Sequence, residues 1–329
     1  MSVLQPETST TREVFPTCPE LALVEDTLYR VLSKSRGIIK DACCNLVNAG
    51  GKRIRPLLTL NSALCFGPLN TDVINAAAAA ELIHMASLVH DDVIDKAETR
   101  RGKPTVNSMY GNNAAVLTGD YMFAEAFQIL ATHQLLPSMG YLVEAIQAMC
   151  DGEVNQAQQL FDHSVCTERY LCRIAKKTGI LLASCCKAGA ATAGATPEEV
   201  TALGEYGLNL GYAFQIVDDI LDFVGESAAV GKPIGGDIVS GNVTLPVIIL
   251  MDNPIYGDWI KQVLGSQQIN TAGVESIKCA LMGAGSIDKA YQMAARCVEK
   301  AKASLEKIPA SPYKTALLQV ADLVYSRQA

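Results

Sequence analysis

Long segments of strong helix-forming residues, separated by glycine and proline, run through this sequence. Ala, Leu, Glu, Lys and Gln dominate the segments, whereas Gly and Pro collect between them. No segment alternates apolar and polar residues for long enough to predict a sheet. Val243–Met251 is largely apolar and β-branched, but one strand cannot form a sheet, so we predict a buried helix there. The sequence therefore predicts an all-α protein, with helices over residues 20–34, 54–66, 72–96, 111–133, 139–162, 167–190, 197–224, 284–306 and 311–327.

Nothing in the sequence divides the chain into separate domains. No Pro/Ser-rich linker or block of like charge interrupts residues 1–329, which predicts a single domain built as one large helical bundle. Hydrophobic residues make up 49% of the chain and charged residues only 19%, so we expect a large core. Residues 1–19 are polar and rich in Thr, Pro and Glu, which predicts a poorly ordered or loosely packed N-terminal segment.

Charge and targeting signals narrow the class of protein. The net charge of −7 and the sequence pI near 5.2 argue against nucleic acid as a partner, because phosphate binding needs a basic surface. The N-terminal segment has no apolar signal core, and no run of eighteen apolar residues occurs. We therefore expect a cytoplasmic protein without a transmembrane segment.

The cysteines leave two alternatives, a disulfide framework or small core residues in a reducing compartment. Two pairs are vicinal, Cys43–Cys44 and Cys185–Cys186, no C-x-x-C pair occurs, and the rest are scattered through apolar helical segments. This distribution favours unpaired core cysteines.

The first acidic cluster, Asp91-Asp92-Val93-Ile94-Asp95, ends a long apolar helix. Asp91 and Asp95 are four residues apart, so their carboxylates lie on one helical face. Like charges at this spacing repel, and the helix C-terminus is itself electronegative. An arrangement so unfavourable locally indicates a bound cation, and oxygen ligands suit Mg²⁺, which often bridges carboxylates to phosphate.

The second acidic cluster, Asp218-Asp219-Ile220-Leu221-Asp222, repeats this spacing. One such motif in an acidic protein is ordinarily a solvated helix face. Here, however, both copies interrupt strongly apolar helices, which favours a functional pair.

Three cationic segments accompany the acidic clusters. Gly50–Pro56 contains Lys52 and Arg55 at a helix start, where backbone N–H groups also favour anions. Arg100–Pro104 follows the first acidic cluster, and the Gly-rich Gly231–Asp237 follows the second. Each alone is more often a solvated patch, but an acidic helix followed twice by a cationic loop is typical of metal-bridged diphosphate binding.

On these motifs the chain resembles the trans-isoprenyl diphosphate synthases, and within them the long-chain heptaprenyl and solanesyl types. The resemblance runs from about Gly50 to Pro246. It implies an all-helical fold around a deep central cavity, with the acidic clusters facing each other across its mouth. The motifs, in order, are G-G-K-R-I-R-P, E-L-I-H-M-A-S-L-V-H-D-D-V-I-D, R-R-G-K-P-T, T-G-D-Y, K-T-G, F-Q-I-V-D-D-I-L-D, G-K-P-I-G-G-D and G-N-V-T-L-P.

The resemblance also implies roles for individual residues. Three Mg²⁺ ions per site would be held by Asp91, Asp92, Asp95 and Asp218, with Asp219 and Asp222 in support. The allylic diphosphate would bind, and react, at Arg100, Lys177, Thr178, Gln215 and Lys232, the Thr and Gln stabilising the allylic cation. Isopentenyl diphosphate would bind in a metal-free pocket made by Lys52, Arg55, His84 and Arg101.

His84 and Asn242 differ from the other candidate residues in how well the sequence supports a role in binding. A lone histidine on an apolar helix is ordinarily a core residue, and only the resemblance favours substrate binding for His84. Many relatives have Lys where this chain has Asn242, so one cation for the allylic diphosphate is missing. The same Asn occurs in some long-chain synthases, and we do not count Asn242 as a ligand.

Product length is expected to depend on the residues below the first acidic cluster. Ala86 and Ser87 lie about 6–7.5 Å deeper than Asp91 along the helix, at about 1.5 Å per residue. Members that stop early carry aromatic side chains there, so these small residues predict products of about six or more isoprene units, with seven our best estimate. A quinone side-chain precursor fits that length, and a shorter farnesyl or geranylgeranyl product is the alternative.

The motifs argue against two rival functions, because the second motif here is D-D-x-x-D and both acidic clusters are present, whereas the type of assembly stays open. A class I terpene cyclase would share the fold and first acidic cluster, but its second motif contains Asn, Ser and Glu. A non-catalytic partner subunit typically lacks one cluster. We expect a homodimer that contacts membranes only transiently, to release product, although a heterodimer that needs a second polypeptide is compatible with the sequence.

Overall fold

The computed structural model describes residues 18–100, 102–225 and 234–326, and nearly all regular structure within them is helical. The α-helices are α1 Leu21–Leu32, α2 Gly37–Asn48, α3 Ile54–Leu64, α4 Thr71–Ile94, α5 Val106–Tyr110, α6 Asn112–Thr132, α7 Leu136–Gln158, α8 Thr167–Ile174, α9 Ile180–Thr192, α10 Pro197–Val224, α11 Gly236–Val239, α12 Leu245–Met251, α13 Gly257–Gly265, α14 Thr271–Gly283, α15 Ser286–Ser304 and α16 Pro312–Ser326. A π-helical turn, Ala175–Gly179, joins α8 to α9, and a 3₁₀ turn, Leu305–Lys307, follows α15.

The long helices α4 and α10 form the centre of the protein. Helix α4 packs along α6 and α3, and α10 packs along α15 and α9. Residues 76–80 of α4 are consecutive alanines, all fully buried. Small side chains let the neighbouring helices approach closely, and burial of this apolar surface stabilises the assembly. One hydrophobic core runs from Val24 in α1 to Val324 in α16.

Helix α4 is long and apolar enough to match a membrane span by length and composition. However, 72% of its most apolar window is buried inside the protein. It is therefore the core helix of the bundle, as the pattern of the sequence predicts.

Local signals explain where the helices begin. The Thr196 side chain accepts a hydrogen bond from the backbone N–H of Glu199, whose carboxylate accepts one from the N–H of Thr196. This capping box, with Pro197 in the first turn, starts α10. Asn70 caps α4 in the same way through the N–H of Val73.

The structure confirms the all-α prediction, including the buried helix Leu245–Met251, and differs in detail. Helices α2, α5, α11, α13 and α14 are absent from the prediction; they are 4 to 13 residues long, and helices this short have little stability of their own. The predicted single helix over 167–190 is interrupted by the π-turn. Thr99–Arg100 and Lys103–Pro104 pair as a two-residue antiparallel hairpin. Of the predicted N-terminal segment, residues 1–17 lie outside the described residues.

Candidate active site

One face of α4 reaches accessible space while the rest of the helix is packed. His84, Ser87, Leu88 and Asp91 are partly exposed, whereas Ala86 and most other residues between Val73 and Val89 are buried. The spacing of three, four and seven residues places the accessible side chains on one face, which ends in the first acidic cluster. His84 thus shares a face with Asp91, and of the two predicted length-determining residues only Ser87 borders that space.

Arg100 lies against the first acidic cluster. Its Nε donates to Asp92 Oδ1 at 2.8 Å, and the Asp92 side chain is almost fully buried. The hairpin turns the chain back at Gly102, whose φ of +73° is one that glycine adopts without strain. This turn brings the Arg100 side chain to the helix end that carries the acids.

Asp91 faces charges from three other elements. Its pKa is raised to about 6, mainly by burial and then by the carboxylates of Glu153 and Asp95, while Lys177 and Arg100 act to lower it. Lys177 Nζ lies 2.7 Å from Glu153 Oε1 and donates to Gln156 Oε1 at 2.8 Å. Glu153 and Gln156 were not predicted from the sequence. The pattern that could have indicated them is Gly152-Glu153-x-x-Gln156, whose spacing of three places both side chains on one face of α7.

The π-turn connects the two acidic clusters. Lys177 acts on Asp91 of the first cluster. The next residue, Thr178, donates through Oγ1 to Gln215 Oε1 at 3.0 Å, one turn before the second cluster. Single π-turns inside α-helices are often found at functional sites. The turn therefore links the first cluster, through the charge of Lys177, to the helical turn of α10 that precedes the second cluster.

The second cluster is anchored to the protein through Asp219. Its Oδ2 accepts from the Tyr170 hydroxyl at 2.7 Å and its Oδ1 from Gln215 Nε2 at 2.9 Å. Burial raises the pKa of Asp219 to about 7, with the carboxylate of Asp237 contributing. Tyr170 was not predicted from the sequence. It is fully buried and orients the Asp219 carboxylate.

The other two acids of this cluster differ from Asp219. Asp218 is partly exposed. Asp222 is largely buried and its Oδ2 accepts from the backbone N–H of Asp237 at 3.3 Å, while its carbonyl accepts from Gly235 at 2.8 Å. Asp222 therefore fixes the chain where it continues after residue 233, beyond Lys232. Lys232 and Arg101 themselves lie outside the described residues.

A buried ion pair involves Arg53, which lies in sequence between Lys52 and Arg55, two of the residues predicted to bind isopentenyl diphosphate. Arg55 is in the first turn of α3 and Lys52 is exposed just before it. Between them Arg53, with φ of 47°, turns inward and its Nη1 lies 2.8 Å from Glu81 Oε1 of α4. Its Nη2 donates to the Val47 carbonyl at 3.2 Å. Arg53 and Glu81 were not predicted from the sequence, although Glu81 is the one acid between Asp72 and Asp91 in the apolar helix α4.

Asn242 is held in the loop before α12. Its backbone N–H donates to the Asp237 carbonyl at 2.8 Å, and its Oδ1 is buried with no hydrogen-bond partner among the described residues. The amide therefore lies inside the protein beside the second acidic cluster.

The donor set of the two clusters suits Mg²⁺. The donors are carboxylates, and burial together with neighbouring acids raises the pKa of Asp91 and Asp219, which means that their ionised forms are disfavoured in the protein alone and would be stabilised by a bound cation. No three acidic, histidine or cysteine side chains form a ready metal group among residues 18–100, 102–225 and 234–326.

Comparison with known proteins finds a matching family model and similar enzymes. The Polyprenyl synthetase family model matches residues 36–281, a range that includes both acidic clusters. The chain is 38% identical over 291 residues to the heptaprenyl diphosphate synthase component 2 of Geobacillus stearothermophilus. The aligned region covers 88% of this chain and 90% of that protein. The chain is 33% identical over 313 residues to the octaprenyl diphosphate synthase of Escherichia coli (strain K12), which spans 94% and 97%.

A solved structure agrees as well. The polyprenyl synthase from Caulobacter crescentus CB15, complexed with calcium and isoprenyl diphosphate, superposes with a TM-score of 0.88 at 34% identity. The match covers 94% of this chain and 95% of that one.

Proposed function

We propose, from the premise that this chain belongs to the polyprenyl synthetase family, that its two acidic clusters bind and ionise an allylic diphosphate. The chain is a prenyltransferase, which condenses isopentenyl diphosphate head-to-tail onto an allylic diphosphate and makes a long-chain all-trans polyprenyl diphosphate. The single observation that carries the proposed site is the π-turn: its Lys177 acts electrostatically on Asp91 of the first cluster, and its Thr178 donates to Gln215, one turn before the second cluster.

The acidic clusters would hold the metal. Asp91, Asp92, Asp95 and Asp218 are the proposed ligands of three Mg²⁺ ions, with Asp219 and Asp222 fixing the backbone and side chains around them. When bound, Mg²⁺ neutralises charge on the departing diphosphate. The family is Mg²⁺-dependent in general, and the number of ions is our proposal.

The cations of the chain divide between two substrates. Arg100, Lys177 and Lys232 hold the allylic diphosphate, and fixed cations stabilise the charge that develops there as the carbon–oxygen bond breaks. Lys52, Arg55, His84 and Arg101 hold the diphosphate of isopentenyl diphosphate. The accessible face that His84 and Asp91 share supports this neighbouring arrangement of the two sites.

The carbon chemistry needs a dry, oriented site. Loss of the diphosphate leaves an allylic cation, which the isopentenyl double bond attacks; a proton is then lost to the released diphosphate. The Thr178 hydroxyl is hydrogen-bonded to the Gln215 amide oxygen, and both groups present oxygen dipoles to that cation. Asp219 keeps the Gln215 amide in place by accepting from its Nε2.

Assembly and location complete the proposal. Residues 1–329 form a single polyprenyl synthase domain, and the protein works in the cytoplasm as a homodimer. Leu117 of α6 and Val154 of α7 are exposed apolar side chains that a second subunit would cover. Ile94, exposed beside the first cluster, would contact a membrane transiently during product release. Sedimentation of the purified protein tests the dimer.

Product analysis of the purified chain tests the function. The protein is incubated with isopentenyl diphosphate, Mg²⁺ and geranyl, farnesyl or geranylgeranyl diphosphate, and dephosphorylated products are separated by chromatography. We expect all-trans products of about seven isoprene units, suited to a quinone side chain, and no turnover in EDTA. Products that stop at three or four units would support the short-chain alternative.

A requirement for a second polypeptide is the other outcome to separate. The name of the Geobacillus relative includes the words "component 2". Activity that is absent in the purified chain and restored by a second polypeptide would replace the homodimer with a heterodimer.

A further inference from the structure

The ammonium group of Lys177 is held by two residues of α7 that no predicted role includes. Lys177 Nζ lies 2.7 Å from Glu153 Oε1 and 2.8 Å from Gln156 Oε1. Both charged side chains are about three-quarters buried, with 26% of Lys177 and 23% of Glu153 exposed. The pair therefore lies at the edge of accessible space, where screening is weaker than on an open surface.

The backbone around this contact is closely packed. Glu153 and Gln156 are three residues apart, so they lie on one face of α7. A Cβ placed on Gly152 would meet Lys177 Cγ at 3.0 Å and the Lys177 backbone nitrogen at 3.3 Å. The absence of a side chain at Gly152 thus lets α7 approach the π-turn until its polar groups reach the lysine.

The contact also orients Lys177 toward the first acidic cluster. Glu153 and Lys177 both act on the charge of Asp91, in opposite directions. A free lysine side chain loses rotamer entropy when it is fixed on a ligand. Holding the ammonium before the substrate arrives removes part of this cost.

We propose that Glu153 and Gln156 are positioning residues, which hold the Lys177 ammonium beside Asp91 so that it meets the allylic diphosphate without reorganisation. Glu153 acts through Lys177 and touches no reacting atom. This inference rests on the proposed role of Lys177 in the allylic site.

A double-mutant cycle tests the proposal. The variants are Glu153→Ala, Lys177→Ala and the double variant, with Glu153→Gln as the conservative change and Glu144→Ala, exposed on the same helix, as the control. The probe is farnesyl thiolodiphosphate, an allylic analogue that does not ionise readily, and its binding with Mg²⁺ is measured by calorimetry. Steady-state kinetics give KM for isopentenyl diphosphate, and circular dichroism checks folding.

The expected results follow from the proposal that Glu153 acts only through Lys177. Glu153→Ala and Lys177→Ala should each weaken the analogue about ten- to hundredfold, the range of one charge-assisted hydrogen bond. Glu153→Gln, which keeps an acceptor oxygen, should lose less, and KM for isopentenyl diphosphate should stay within about twofold. The double variant should bind no more weakly than Lys177→Ala, because without the lysine Glu153 has nothing to position.

Two results would overturn the inference alone. One is wild-type affinity in Glu153→Ala while Lys177→Ala is weak. The other is a double variant weakened by the product of both single effects, which would mean that Glu153 acts independently of Lys177. Unchanged affinity in Lys177→Ala would instead remove the proposed role of Lys177, and this inference with it.

Discussion

Each acidic cluster contains a pair of neighbouring carboxylates with unlike surroundings. Asp91 and Asp218 are partly exposed, whereas Asp92 is buried against Arg100 and Asp219 against Tyr170 and Gln215. In both pairs the first acid faces accessible space and the second is bonded to the protein. Metal and substrate contacts are therefore expected to depend most on the first acid, and the geometry of the helix end on the second.

The first prediction tests the two exposed acids. Asp91→Ala and Asp218→Ala should each lower kcat by about a thousandfold or more, since each would lose metal contact and its stabilisation of the leaving group. The fold should survive, because removing crowded like charges relieves repulsion. Steady-state kinetics and circular dichroism measure both properties, with exposed Asp252→Ala as the control. Near-normal rates in both variants would contradict the mechanism.

The second prediction concerns the buried acid Asp219 in metal-free protein. Its pKa is raised from 3.8 to about 7, so the folded state binds this proton more tightly than the unfolded state does. Its contribution to stability is therefore full below about pH 4 and is lost as pH rises to about 7. Asp219→Asn does not titrate, so its free energy of unfolding relative to wild type should increase across this window and level off above it. Urea unfolding in EDTA at several pH values measures the difference, and a difference independent of pH would contradict the shift.

At the scale of elements, two glycines set the distance between α10 and the helix that contains the π-turn. A Cβ on Gly207 would lie 2.7 Å from Ala183 Cα, and one on Gly211 would lie 2.5 Å from Gly179 Cα. Both contacts are with backbone, which cannot rotate away. The close approach lets Thr178 reach Gln215, so helix packing and site geometry depend on the same glycines.

The third prediction compares two glycine substitutions. Gly211→Ala should destabilise the protein by about 1–3 kcal/mol through overpacking, and should also lower kcat because α10 moves away from the π-turn. Gly140→Ala on α7 is the matched control, because its Cβ would meet nothing within 4 Å. It should stabilise by about 0.5–1 kcal/mol through helix propensity. Thermal unfolding and kinetics measure both, and equal stabilities would contradict the packing argument.

The fourth prediction concerns the ion pair that joins the start of α3 to α4. Arg53→Met leaves the Glu81 carboxylate buried without its closest cation and should cost about 3–5 kcal/mol. Replacing both residues by Met should recover most of that loss, since no uncompensated charge remains. Urea unfolding of Arg53→Met, Glu81→Met and the double variant measures the coupling free energy between the two residues. Additive losses in the double variant would show that the pair does not act as a unit.

At the scale of the whole molecule, product length depends on how the bundle closes below the acidic clusters. Ser87 is accessible, but Ala86 and the alanines of residues 76–80 are fully packed. The growing tail would therefore pass Ser87, and its path deeper in the bundle is set by helices other than α4 as well.

The fifth prediction follows from this path. Ser87→Phe should block the tail and shorten the products to about three or four isoprene units, with the first condensation intact. Ala86→Phe, which inserts an aromatic ring into a fully buried position, should mainly destabilise the protein by about 1–3 kcal/mol. Chromatography of dephosphorylated products and thermal unfolding separate the two effects. Unchanged lengths in Ser87→Phe would refute the path.

Local sequence information is enough to predict most of the fold and the chemistry of the acidic clusters. The all-α class, the boundaries of α4 and α10 and the paired acids follow from periodicity, capping residues and i, i+4 spacing, which depend only on near neighbours. The short helices α2, α13 and α14 were missed because helices of this length have little stability of their own and depend on packing against other helices.

The contacts that give the clusters different properties depend on long-range packing. Glu153 meets Lys177, Arg53 meets Glu81 and Tyr170 meets Asp219 across separations of 24 to 49 residues. No spacing rule links residues so far apart, because their distance is set by how glycine-lined helices pack. The sequence thus determines which acids and cations are present and on which helical face each lies. The packed bundle determines which of them are buried, paired and left facing the substrate, because burial and partner are properties of the surrounding helices.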